Sequence, residues 1–232
     1  MSIRKNSVNL GQSIIVEASS HKVLGITLNN KLSWNEYVYG KGGLISSLNS
    51  RLGALRRLSF HIPASCMKSV ATATLISKMR YCLGIFGIVK TNISQPQCKM
   101  MHDLQVVLNN MMRLILNKRV ADKIRIEELC ERTGITSVNR MVAEEHARIV
   151  WQAKNNPQSP LSELFQVVMG GATRASARGD LCSTARTSLG IRNVPHTAIT
   201  TWNSTGDSLR AANSSQSFKL LTRTFVETIP LK

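Results

Sequence analysis

The chain has 232 residues, 43% of them hydrophobic and 5% aromatic, so it carries enough Leu, Ile, Val, Met and Ala to bury a core and is excluded from the class of disordered tails. Its 30 Lys and Arg face 13 Asp and Glu for a formal charge of +17, which favours polyanionic partners, nucleic acid first and anionic membrane as the rival. The 5 cysteines form no CxxC pair and the 5 histidines complete no zinc-finger spacing, which argues against a disulfide scaffold and against a structural metal.

The first residues read as strands. Val8 to Leu10 and Ser13 to Val16 flank Gly11-Gln12, a two-residue hairpin turn. Lys22 to Leu28 is one β-rich run closed by Asn29-Asn30. A helix is expected from Ser33, where Ser33 and Glu36 have the spacing of a capping box. Gly40, Gly42 and Gly43 weaken or break it.

Helical spacing then dominates. Leu44, Leu48, Leu52, Leu55 and Leu58 recur at intervals of three and four. Pro63 suits the first turn of a second helix with Leu75, Met79, Cys82, Leu83 and Phe86 on its apolar face. A third carries Leu104, Val107, Leu108, Met111 and Ile115, and shorter helices are expected over Ile126 to Glu131, Val138 to Ala153 and Leu161 to Val168. Residues 170 to 200, rich in Gly, Ser, Thr and Arg without a period, read as extended loop or short strands. A last helix, about Ser214 to Thr228, presents Phe218, Leu221 and Phe225 on one face. The expected fold class is α+β and predominantly helical: strands over 1–32, a helical bundle over 33–168, and a basic, loop-rich segment with a closing helix over 169–232.

Nine Lys or Arg and no acidic residue lie between Glu36 and Asp103, whereas seven acidic residues fall from Asp103 to Glu145. Two basic segments separated by a more neutral one suggest two contact regions. In the first, Arg51, Arg56 and Arg57 are the sharpest binding candidates. Arg51 falls within the leucine arc, where a charge must snorkel or find an anion; binding and simple packing of its stem both remain open. Lys78 and Arg80 are similar. Arg174, Arg178 and Arg186 suit either a nucleic-acid strand or a carboxylate of the protein itself. Trp202 and Trp34 read as packing residues, and His102 and His146 as surface or hydrogen-bonded ones. The most apolar stretch, Tyr81 to Val89, is far shorter than the about 20 residues of a membrane span. With no signal-like run near Met1, an intracellular location, nuclear or cytoplasmic, is expected.

Several segments resemble, in order, the end of the palm and the thumb of non-long-terminal-repeat retrotransposon reverse transcriptases, the LINE-type and Jockey-like elements. KVLGITLNNKLSW (Lys22 to Trp34) is similar to the hairpin that leads into the thumb, and SLNSRLGALRRL (Ser47 to Leu58) to the first thumb helix. LISKMRYCLGIFG (Leu75 to Gly87) and LQVVLNNMMRLILN (Leu104 to Asn117) look like the following helices. TRASARGDL (Thr173 to Leu181), RTSLG (Arg186 to Gly190), TWNST (Thr201 to Thr205) and SFKLLTR (Ser217 to Arg223) resemble the C-terminal loop and closing helix. Val23 and Phe86 depart from the family, which usually has an aromatic at the first position and Trp at the second.

The resemblance implies a primer-grip-like role for Leu24 and Gly25, and RNA-directed DNA polymerase as the parent activity. That activity uses magnesium held by palm carboxylates, which precede the segment starting here at Lys22. No Asp-Asp pair occurs, and the adjacent acids Glu127-Glu128 and Glu144-Glu145 fall on expected helices, where neighbours point about 100° apart and read as solubilising surface charge. The expectation is therefore a truncated, non-catalytic chain with no catalytic or metal residues and no cofactor. It would bind RNA or DNA without sequence specificity, take no small-molecule substrate, and associate with a full-length element protein. The alternatives are a decayed fragment that folds poorly, and a basic helical adaptor or membrane-surface protein.

Overall fold

A computed structural model describes residues 7–11, 13–90, 94, 97–166, 179–182, 187 and 194–231. It is α+β and predominantly helical, and falls into two compact units, 1–47 and 48–232.

The first unit holds two antiparallel hairpins, β1 (Ser7–Leu10) with β2 (Ser13–Val16) and β3 (Ser20–Val23) with β4 (Ile26–Asn29). In the first, Leu10 pairs with Ser13 across the expected turn, and Gly11 takes φ +61°. In the second, the run expected as one strand is folded back on itself. Val23 pairs with Ile26, and Leu24 and Gly25 both adopt left-handed backbone, φ +50° and +82°. Two positive φ values in succession produce the twist that a two-residue turn needs between right-twisted strands. Gly25 does this freely, but a leucine there is strained.

The expected capping box does not form. The Ser33 N–H donates to the Asn29 side chain at 2.9 Å, and α1 (Asn35–Tyr39) starts two residues later with Trp34 as its cap. Gly40 ends α1 because a Cβ there would lie 2.3 Å from the Glu36 carbonyl oxygen. The glycine cluster thus separates α1 from α2 (Leu44–Leu58), as the sequence suggests.

In the second unit Pro63 caps α3 (Ala64–Ala71), which continues through a π-helical turn, Thr72–Ile76, into α4 (Ser77–Arg80). The helix expected to run on to Phe86 stops at Tyr81. Cys82 turns left-handed at φ +60°, and a separate turn, α5 (Leu83–Phe86), follows. That break seats two glycines on the long helix α8 (Val138–Asn155). A Cβ on Gly84 would come within 2.9 Å of Ile149 Cδ1, and one on Gly87 within 2.7 Å of the Val142 methyls. Between them in sequence lie α6 (Lys99–Ile115) and α7 (Ile126–Thr133), the latter ended by Gly134 at φ +63°. The expected apolar face of α6 is buried through Leu104, Val107, Leu108 and Met111. The helix expected from Leu161 shrinks to a single 3-10 turn, Ser162–Leu164; Val167 and Val168 lie outside the described residues.

Residues 194–200, expected as loop, are helical. They belong to α9 (Val194–Asn203), followed by α10 (Asp207–Arg210) and α11 (Ser215–Thr228), which is capped by the Ser214 side chain. The signal for α9 is hidden because Thr and His supply no apolar stripe of their own. Its burial comes from Ala198, Ile199 and Trp202, which close on Ala143, Ala147 and Val150 of α8. Small residues on α8 let the neighbouring helices approach, and Phe218 and Phe225 of α11 complete that core. Trp202 is fully buried, a core residue as expected.

Candidate nucleic-acid interface

Leu48, Leu52 and Leu55 are buried, whereas Leu58 of the expected leucine arc is exposed beside Arg56 and Arg57. Arg56 and Arg57 sit exposed in its last turn, where the negative end of the helix dipole favours cations. Arg51 has a partial structural use, since its Nη1 donates to the Thr74 carbonyl in the π-helical turn at 2.9 Å.

Arg56 lines a cleft of about 250 Å³ together with Asn110, Arg113, Leu114, Lys118, Arg119 and Val120. Four of these seven are basic and, among the described residues that line it, none is acidic. Three separate segments bring them together: the end of α2, the end of α6, and the turn Val120–Asp122 beyond it. Asp122 lies nearby but accepts the Arg119 backbone N–H at 2.8 Å. Within the described residues the Nε of Arg113 is buried without a hydrogen-bond acceptor. Such a donor is costly to leave unpaired and favours an anion at hand. The cations at the two helix ends are partly explained by the dipoles; Lys118 and Arg119, beyond the end of α6, are not.

Lys78 and Arg80 lie elsewhere. The Lys78 ammonium stands 5.8 Å from the Tyr81 ring centroid, a cation–π distance. The Arg80 guanidinium pairs with Glu144 and reaches Glu145 at 4.0 Å. Arg174, Arg178 and Arg186 lie outside the described residues. Leu24 and Gly25 form the tip of the second hairpin, where Leu24 is 83% exposed.

Among the acidic pairs read as surface charge, Glu127 is exposed and only Glu145 needs correcting. Glu145 is buried and bonded to Arg148 as well as near Arg80, and Glu128 pairs with Arg132 at 2.6 Å. Glu128, Glu144 and Glu145 thus each pair with an arginine. No group of three or more His, Cys, Asp or Glu among the described residues is placed to hold a metal ion. Cys66 and Cys182 are exposed thiols, while burial raises the Cys130 thiol pKa to about 11.

Segments singled out by resemblance meet in the C-terminal region. The Asp180 carboxylate takes a hydrogen bond from Arg210 at 2.8 Å, and both side chains are at most 10% exposed. Asn203 brackets the Leu181 backbone, accepting its N–H at 2.9 Å and donating to its carbonyl at 3.0 Å. His146, also fully buried, lies 3.1 Å from the Thr201 hydroxyl. That hydroxyl also donates to the Thr197 carbonyl at 2.9 Å. Burial lowers the His146 pKa to about 4.

Of the described residues expected to bind nucleic acid, only Arg56 lines the cleft. Arg113, Lys118 and Arg119 were hidden in the stretch that looks electrically balanced. The available signal was the basic pair Lys118-Arg119 immediately beyond an amphipathic helix. No protein-family model matches the chain, and no significant match exists among curated proteins or solved structures. Among the described residues no helix is long and apolar enough to cross a membrane.

Proposed function

We propose that this chain is a non-catalytic, sequence-nonspecific nucleic-acid-binding protein related to the post-palm region of LINE-type reverse transcriptases. The observation that carries the binding is the cleft ringed by Arg56, Arg113, Lys118 and Arg119 with no acidic residue in its described lining. Cations gathered on a phosphate release condensed counterions, and they do so for RNA and DNA of any sequence. The family relationship rests on the ordered resemblances from Lys22 to Arg223. The reading without polymerase chemistry rests on the missing carboxylate pair. Association with a full-length element protein belongs to the same proposal.

Fluorescence anisotropy with labelled oligonucleotides tests the binding. Three phosphate contacts predict a roughly 20- to 40-fold loss of affinity between about 50 and 200 mM salt. The triple variant R56Q/K118Q/R119Q should bind weakly with a flattened salt dependence. Affinity insensitive to salt, or unaltered by the triple variant, would sink the proposal.

A further inference from the structure

Among the five phenylalanines of this chain, Phe60 stands apart. Phe86, Phe165, Phe218 and Phe225 are no more than 8% exposed, whereas Phe60 is 87% exposed. Its exposure is not that of a slack loop. The Ser59 N–H bonds the Leu55 carbonyl at 2.8 Å, and the N–H groups of His61 and Ile62 both bond the Leu58 carbonyl at 2.9 Å. The Ser59 hydroxyl closes on the Arg56 carbonyl at 2.7 Å. A tightened turn at the end of α2 therefore holds the ring out into solvent, four residues beyond Arg56 of the basic cleft.

An exposed ring that follows a cleft arginine by four residues supplies, with the cleft, the two parts that single-strand binding needs: charge to track phosphates and an aromatic face on which a base can stack. The cleft, at about 250 Å³, lies below the ~300–1,000 Å³ range of pockets that bury a drug-sized ligand. It suits a backbone phosphate with the base left outside, and Phe60 follows Arg56 of its lining by four residues in the chain. In a duplex the bases are already stacked on each other and offer the ring nothing except at the ends. We propose that Phe60 is a base-stacking platform and that the site takes single-stranded nucleic acid in preference to duplex. This rests on the proposed nucleic-acid reading and adds strandedness to it.

The test compares a labelled oligo-deoxythymidylate with a closed dumbbell duplex, whose ends are capped by loops, on the full chain and its variants. F60L should lose roughly tenfold on the single strand, with its salt slope and its affinity for the dumbbell unchanged. F60W should bind as tightly as the parent, its added fluorescence quenched by the oligonucleotide. Equal losses on both ligands, no loss on either, or an unquenched F60W would overturn the platform while leaving the phosphate cleft intact. Salt-insensitive binding by the parent would instead overturn the nucleic-acid reading. A loss confined to anionic vesicles would assign Phe60 to a membrane surface and overturn the proposal.

Discussion

In the C-terminal region, Arg210 directs its donors to Asp180 and to the Asn203 carbonyl. Arg140 similarly bonds the Ile229 and Glu227 carbonyls at 2.9 and 2.8 Å, fastening the end of α11 to the start of α8. At the cleft between the ends of α2 and α6, Arg56, Lys118 and Arg119 converge with no carboxylate in the described lining. The same residue type is structural in one place and a candidate for binding in the other. What separates the two uses is whether the fold supplies an acceptor. The formal charge of +17 already subtracts the paired carboxylates, so what the fold adds is where the surplus lies.

The largest expected effect lies on the structural side. Arg210→Ala takes the guanidinium away from the buried Asp180 carboxylate, which should cost about 3–5 kcal/mol of stability, read from urea denaturation. The double variant D180N/R210M should recover part of that loss. If Arg210→Ala unfolds at the same urea concentration as the parent, the pair is not structural and the contrast with the cleft collapses.

His146 gives the next effect, one that depends on pH. Its pKa is lowered to about 4 in the folded state by burial, against about 6.5 when unfolded. Between those values the unfolded chain holds a proton that the folded chain does not. The contribution is therefore complete above about pH 6.5 and lost progressively as pH falls toward 4, by about 3 kcal/mol. His146→Gln should flatten that dependence in urea titrations at several pH values.

Gly84→Ala probes the packing beneath the region. Its Cβ would meet Ile149 Cδ1 at 2.9 Å and Glu145 Cβ at 3.1 Å, and crowding of this kind costs about 1–3 kcal/mol. A thermal melt identical to the parent's would show that Ile149 simply swings aside. The smallest stability effect is expected at the cleft. Arg56→Gln, Lys118→Gln and Arg119→Gln should each stay within about 0.5 kcal/mol while together weakening oligonucleotide binding. A large loss of stability there would make these cations structural and erase the distinction.

Much of the helical framework was legible because leucine and methionine recur at helical spacing and punctuation is strong at Gly40, Pro63 and Ser214. The hairpin at Leu24-Gly25 was invisible to alternation, since a β-rich run looks the same whether it extends or folds back. The break at Cys82 was equally hidden; no Gly or Pro marks it, and only the seating of Gly84 and Gly87 on α8 gives it a reason. Part of the helix α9 was taken for loop because its partner face lies on α8, about 55 residues earlier in the chain, as the contact between His146 and Thr201 records.

By itself the sequence determined the predominantly helical class, the hairpin at the start, the basic excess and the lack of a paired-carboxylate motif, all of which are properties of composition and local spacing. Only the tertiary structure decided which basic residues are engaged. It committed Arg80 to Glu144 and Arg210 to Asp180, and it gathered Arg56 with Lys118 and Arg119 from segments some 60 residues apart. Pairing and convergence of charges are set by contacts between distant segments, and no local pattern of residues encodes them.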